Sequence, residues 1–335
     1  RSHSCISRNL ALRERLFQPC GHGASCKHMR LLPRSAGSGC WRPLVGGFVA
    51  WISTCSCAAT VTAQGLGPSW TLVGEDGNAK TLVPRPLSEL LEPNETAVVD
   101  AYDRLFERYS MYCNGRWLGA QVLQDAQDLM YLQHVVFTVK PSLIIETGTY
   151  KGGLTFFFAT LFESLRLDAR VLSIDRNPPE AVFSANWFCP VCEECVRPWD
   201  TEPWQRHVQF LQGWADQRDL YEVVRREATE ASGPVVVNLD ACHEYDCVLV
   251  EILLYSRLVT VGSYLVVQDA KLDNLWGKPA VSAAVQTFLR GTSDFVVDRS
   301  APFYGYSQHV YLQRVAATLG DYDLGAVDGS RVILS

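Results

Sequence analysis

Six short apolar runs recur through the middle of this chain: Leu143–Glu146, Val171–Asp175, Val208–Leu211, Val235–Asp240, Tyr264–Asp269 and Phe295–Val297. Helix-length segments separate most of them. Runs without polar alternation suit strands buried on both faces, and helical crossovers between them make neighbouring strands parallel. The sequence therefore predicts a doubly wound α/β domain, Rossmann-like, with a mostly parallel sheet. A helical extension is expected ahead of it. The stretch Glu95 to Tyr109 places Val98, Tyr102, Leu105 and Phe106 on one face, and Val122 to Phe137 forms a second helix.

Charge divides the chain. Residues 1–63 hold eight Lys/Arg and one acid, so the formal charge of −6 over 335 residues conceals a strongly acidic body. Such a body repels nucleic acid, which excludes that class of partner. The first methionine is Met29. Arg30, Arg34 and Arg42 follow it, then an uncharged stretch from Leu44 to Ala63 that ends in the small-x-small pattern Val61-Thr62-Ala63. Residues 29–63 read as a cleavable signal peptide, implying the secretory pathway or an extracellular site, with the first half of an organelle address as a variant of that reading. A retained membrane anchor is the rival, but the apolar core Leu44 to Ile52 is short against the roughly 20 residues a span needs. The expected plan is an upstream segment 1–63, a Gly/Pro-rich linker 64–93, the α/β domain 94–316 with an insertion at 177–206, and a tail 317–335.

In doubly wound folds ligands bind beyond the carboxyl ends of the strands, where strand order reverses. Four runs end in or beside an acid: Glu146, Asp175, Asp240 and Asp269. After the first run comes Gly148-Thr149-x-x-Gly152-Gly153, which lacks the dinucleotide pattern G-x-G-x-x-G but opens a helix N-terminus. A carboxylate beside that turn opposes a pyrophosphate and suits an ammonium or hydroxyl groups. Asp175 ends the second run, where an acid accepts the hydroxyls of a ribose. S-Adenosylmethionine, a nucleoside without phosphates that carries a cationic amino acid, satisfies both. Gly213 and Trp214 follow the third run, where the base is expected.

Asp240 and Asp269 project from adjacent strand ends, and two close carboxylates favour a shared cation. Oxygen ligands point to Mg²⁺. Gln268 adds a carbonyl oxygen only if the loop turns it, since neighbours in a strand face opposite sides. His243, three residues after Asp240, is either a general base for an acceptor hydroxyl or a histidine that caps the following helix. Asp240 and His243 are the catalytic candidates.

These stretches also carry a resemblance. "WLGAQVLQDAQDLMYLQ" (117–133), "SLIIETGTYKGG" (142–153), "VLSID" (171–175), the long block Val235 to Asn274, "AVQTFL" (284–289) and "VYLQRV" (310–315) resemble the rhamnosyl O-methyltransferase/cephalosporin hydroxylase family. The resemblance implies a methyltransferase-type sheet, cofactor contacts at Glu146, Gly148 and Asp175, and a divalent metal near Asp240 and the Gln268-Asp269 pair. It also implies O-methylation of a sugar, glycolipid or small-metabolite hydroxyl. Two departures weaken the metal site: Asp240-Ala241-Cys242-His243 stands where the family has Asp-Ser-Asp-His, and Asp269-Ala270 where it has Asp-Thr. A hydroxylase on the same scaffold and an inactive secreted binding protein are the competing readings.

The insertion "NWFCPVCEECVRPWDTEPW" is foreign to that pattern. Cys189, Cys192 and Cys195 have C-x₂-C-x₂-C spacing, open to Zn²⁺ with His207 as the nearest fourth ligand, to disulfides, or to free thiols. In an oxidising compartment the six cysteines after residue 63, which include Cys113, Cys242 and Cys247, pair as disulfides, the favoured reading. Trp187, Trp199, Trp204 and Trp214 either pack the insertion onto the domain or cover a ligand. Among enzyme signatures there is no G-x-S-x-G elbow, phosphate-binding G-x-x-x-x-G-K-[ST] loop or H-E-x-x-H helix.

Overall fold

The computed structural model describes residues 93–318, apart from 186–187, 302–304 and 308–309, and four short upstream strands. Those strands pair as two antiparallel hairpins, Ile52–Thr54 with Cys57–Ala59 and Trp70–Val73 with Ala79–Leu82. The remainder of the signal segment 29–63 and of the linker, the tail beyond residue 318, and Trp187 lie outside the described residues. Among the described residues no helix is long and apolar enough to cross a membrane.

Seven strands form one sheet: β1 (Leu143–Thr147), β2 (Arg170–Asp175), β3 (Val208–Gln212), β4 (Val235–Leu239), β5 (Tyr264–Val267), β6 (Phe295–Val297) and β7 (Tyr311–Arg314). Their spatial order is β3-β2-β1-β4-β5-β7-β6. The first five are parallel, and β7 runs antiparallel to both β5 and β6. Each expected strand is present, and Asp240 and Asp269 fall just past the ends of β4 and β5. Strand order reverses at β1, which has β2 on one side and β4 on the other, so the ligand crevice belongs above β1 and β4.

Helices cover both faces, as two-sided burial requires. On one face α6 (Arg218–Thr229), α7 (Tyr245–Tyr255) and, after the short α8 (Leu272–Trp276), α9 (Val281–Arg290) pack Val224, Ile252, Tyr255 and Val285 against Ile145, Leu172, Val237 and Leu265. On the other, α2 (Ala126–Val139) and α3 (Gly153–Leu165) pack Leu132, Val136, Phe157 and Phe158 against Ile144, Val171, Val236 and Val266. Residues one apart in each strand thus serve opposite cores, the period-2 alternation of a pleated sheet. The second expected helix begins four residues late, because Asp125 caps it: its side chain accepts from the Gln127 N–H at 2.8 Å.

The N-terminal helix α1 (Pro93–Arg108) lies against the carboxyl edge of the sheet. Its Asp103 pairs with the buried Lys271 at 2.7 Å, just past β5. The insertion carries two short helices, α4 (Pro179–Phe183) and α5 (Glu202–His207). Trp204 of α5 packs on Phe156 and Ala120, and Trp199 packs on Phe183, so both tryptophans are packing residues. His207 bonds the Ala169 carbonyl at 2.7 Å and faces Glu163, well occupied without a metal. The zinc alternative gives way to disulfides. Cys192 bonds Cys195, while Cys189 reaches Cys113 in the turn after α1, and Cys242 bonds Cys247.

Candidate active site

A cleft of about 500 Å³ opens above the carboxyl ends of β1 and β4. Gly148, Asp175, Arg176, Gly213 and Trp214 line one half, and Asp240, His243, Asp269, Leu272 and Tyr306 line the other. At the turn after β1, Gly148 has φ +88°, and a Cβ there would stand 2.1 Å from the Asp240 carbonyl oxygen. The backbones leaving β1 and β4 are therefore close enough that only glycine fits, which fixes Asp240 against the turn.

Asp175 is held by the backbone. Tyr150 N–H donates to its Oδ2 and Asn177 N–H to its Oδ1, each at 2.9 Å. A carboxylate has about four lone-pair sites, so a fixed carboxylate with lone pairs to spare faces the cleft. The guanidinium of Arg176 lies 5.0 Å from the centre of the Trp214 ring, forming a flat cationic–aromatic edge beside Gly213.

In the other half, His243 Nε2 stands 2.9 Å from Asp269 Oδ2 and 3.5 Å from Asp240 Oδ1. One ligand atom from each of the three lies within 4.8 Å of the others, a donor set suited to a divalent cation. Burial disfavours a charge on His243, but hydrogen bonds and charges from Asp240 and Asp269 outweigh it and push its pKa up to about 10. The imidazolium therefore takes the place a cation takes between two carboxylates. Gln124 Nε2 donates to Asp240 Oδ2 at 3.0 Å and fixes that carboxylate from the side of α2.

Asp269 has φ +68°, a left-handed conformation unusual for a residue other than glycine. This twist turns Asp269 into the cleft and leaves Gln268 under the sheet. Gln268 donates to Asn238 Oδ1 at 2.7 Å and accepts from Ser307 Oγ, which removes it from the expected ligand set.

The expected cofactor contact at Glu146 is corrected in the same way. Its side chain is fully buried beneath α3, accepts from Ser173 Oγ at 2.6 Å and from Thr155 Oγ1, and does not line the cleft. Burial raises its pKa to about 8 against those two bonds, so the group is protonated at neutral pH and does not present the charge the sequence suggested. Strand pairing explains it: Glu146 sits opposite Ser173 and Asn238, on the α2–α3 face. Thr149, at 2.6 Å from Ser173 Oγ, belongs to the same buried cluster. Gly152 and Gly153 face Trp204 and the Gln121 backbone and open α3 without lining the cleft.

Three further residues complete the site, each inside a stretch that carries the family resemblance but none distinguished there: Gln124, Thr147 and Glu251. For Glu251 a signal existed, the one acid inside the apolar stretch "VLVEILLY" of α7. The departures from the family pattern have structural counterparts too. Cys242 is spent on Cys247, and Ala270 is buried in the core between β5 and α9.

A doubly wound sheet with an antiparallel strand between β5 and β6, a glycine turn without a phosphate fingerprint and a fixed acid at the end of β2 define an S-adenosylmethionine-dependent methyltransferase. The family model described as Rhamnosyl O-methyltransferase/CmcI matches residues 109–315. The chain belongs to that family, and its enzyme class is O-methyltransferase. It is 25% identical over 177 residues to the rhamnosyl O-methyltransferase of Mycobacterium leprae, covering 53% of this chain and 69% of that one. The rhamnosyl O-methyltransferase of Mycobacterium tuberculosis is 24% identical over 203 residues, 61% of this chain and 76% of its own length. Among solved structures, apo CmcI is similar at 19% identity with a TM-score of 0.44, covering 61% of this chain and 78% of that one.

Proposed function

We propose that this enzyme transfers the methyl group of S-adenosylmethionine to a hydroxyl oxygen of a sugar, glycolipid or small-metabolite acceptor, with Mg²⁺ held by Asp240 and Asp269. One observation carries the reading: a single cleft joins the fixed Asp175 and the Arg176–Trp214 edge to the Asp240–His243–Asp269 cluster. The first half suits a nucleoside, with Asp175 on the ribose hydroxyls and Trp214 beside the base. The second half suits an acceptor hydroxyl.

When bound, a divalent cation supplies positive charge that lowers the pKa of a hydroxyl beside it. The chain's own groups do the rest. Asp240 and Asp269 hold the charge in place, Gln124 and the Thr147 backbone keep Asp240 from turning away, and His243 receives the acceptor proton at Nε2 only in its neutral form, the form that a cation held by the two carboxylates would favour. Methyl transfer needs the acceptor oxygen fixed close to the sulfonium methyl. Phe106, Tyr112 and Tyr306, packed on one another at ring distances of 5.4 and 6.0 Å, give the acceptor side a wall of flat faces. Glu107 and Asp125 in the same lining disfavour anionic acceptors. The names of the mycobacterial relatives support a sugar hydroxyl. The three disulfides among the described residues support an oxidising compartment, the secretory pathway or the cell exterior.

The test is calorimetric titration of the chain with S-adenosylmethionine, with and without Mg²⁺. Micromolar binding that is lost in Asp175→Ala is the expected result. Folded protein that binds nothing in either condition defeats the reading.

A further inference from the structure

The insertion between β2 and β3 contains a second chemical site that the methyl transfer does not use. Cys189 is tied to Cys113 across a separation of 76 residues, whereas Cys192 is paired with Cys195 only three residues away. In a C-x-x-C pair the second sulfur stands beside the first and resolves any mixed disulfide formed there.

The surroundings of Cys192 distinguish it from its partner. Arg116 Nη2 donates to Cys192 Sγ at 3.3 Å, while Nη1 is anchored on the carbonyls of Cys113 and Gly115 at 3.0 and 2.9 Å. Lys151, 2% exposed, adds a second positive charge nearby, with its ammonium on Gln121 Oε1 at 3.1 Å and Pro190 O at 3.3 Å. A cavity of about 360 Å³, separate from the main cleft, has Cys192, Arg116, Gln121 and Glu194 in its wall. Cys192, itself 5% exposed, lines this cavity, and a sulfur beside a fixed guanidinium is the setting that favours a thiolate.

We propose that Cys192–Cys195 is a thiol–disulfide exchange site that reacts with a dithiol entering this cavity, with Cys192 as the attacked sulfur. In the first step a thiolate of the dithiol attacks Cys192 Sγ, the Cys192–Cys195 bond breaks, and Cys195 leaves as a thiolate and takes up a proton. The second thiol of the reductant then attacks the mixed disulfide and expels Cys192 as a thiolate held by Arg116. Two electrons pass from the dithiol, which becomes a disulfide, to the protein disulfide, which becomes two thiols. The same insertion carries Phe188 on the rim of the cofactor cleft, so one segment holds both the exchange site and a wall of the methyl-transfer site.

The experiment treats the folded full chain with dithiothreitol and maps the freed thiols by alkylation and peptide mass. Cys192 and Cys195 are expected to appear before Cys113 and Cys189. After reduction, iodoacetamide at pH 6 is expected to label Cys192 ahead of Cys195. Arg116→Gln, which keeps every cysteine, is expected to slow that labelling about tenfold, the effect of a one-unit rise in thiol pKa at a pH well below it. With glutathione disulfide, Cys195→Ser is expected to carry a glutathione adduct on Cys192, one glutathione leaving as its thiolate. Three outcomes overturn the proposal: Cys192–Cys195 as resistant to reduction as Cys113–Cys189, labelling unchanged in Arg116→Gln, or one zinc per chain bound by these cysteines with no disulfide among them.

Discussion

Thr147 Oγ1 donates to Glu251 Oε2 at 2.8 Å and lies 3.3 Å from the Asp240 N–H, so one hydroxyl joins the buried acid of α7 to the backbone of Asp240. Thr147→Val keeps the shape and removes the hydroxyl. Glu251 then loses its donor inside the fold, at a cost of about 1–3 kcal/mol by urea unfolding at pH 8, and Thr147→Ser restores most of it. Equal stability of Thr147→Val and the parent would show that the bond contributes nothing.

The buried acids make stability fall as pH rises. Burial lifts the pKa of Glu146 to about 8 and of Asp128 and Glu251 to about 7. In the unfolded chain such groups ionise near pH 4, so between there and pH 7–8 the native state holds protons that the unfolded state has released. Stability is then greatest below the unfolded pKa and declines as pH climbs through the folded values. His243, raised to about 10 by its two carboxylates, acts in the same direction above its unfolded pKa. Unfolding at pH 5.5 and at pH 8 is expected to differ by on the order of 1–3 kcal/mol, the lower pH being more stable. Glu146→Gln, which keeps an acceptor for Ser173 and Thr155, is expected to flatten part of that slope.

Gln124 tests the proposed cation site with Asp240 and Asp269 themselves left unchanged. It is 9% exposed and bonds Asp240 Oδ2 at 3.0 Å. Removing such an outer partner costs roughly 10–100-fold in metal affinity, so Gln124→Leu is expected to weaken Mg²⁺ or Mn²⁺ binding, read by calorimetry, by that range. Fold and S-adenosylmethionine binding without metal are expected to persist. Unchanged metal affinity would remove Gln124 from the site.

Much of this fold was legible because β1 and β4 open on the apolar runs Leu143–Ile145 and Val235–Val237 and are buried on both faces, a pattern surface chemistry does not imitate. The acids ending β2 and following β4 and β5 were legible for the converse reason, since an acid ending such a run has only the strand end to occupy. Sequence failed where one residue decides a direction. Gln268 sits one position before Asp269 and Glu146 two before Gly148, and both point under the sheet to Ser173, Asn238 and Ser307 instead of into the cleft. Nothing local announces the left-handed turn at Asp269. The partner of Cys189 was illegible as well, because Cys113 arrives from the far side of β1 and β2 through the tertiary fold.

The close approach of β1 and β4 gives the last prediction, with a built-in control. Gly148 and Gly262 both have positive φ, +88° and +87°, so alanine at either meets the same backbone preference. At Gly262 nothing lies within 4 Å of the added Cβ, whereas at Gly148 it meets Asp240 O at 2.1 Å and Asp240 C at 2.5 Å. Gly262→Ala is therefore expected to cost only the left-handed strain, about 1 kcal/mol. Gly148→Ala must also push the β4 end away from the turn, and Asp240 with it. It is expected to cost at least about 3 kcal/mol and to lose metal binding even at temperatures where it remains folded. Denaturant unfolding of the two variants side by side measures the difference, and equal costs would show that the contact between the glycine turn and Asp240 is not a constraint on this site.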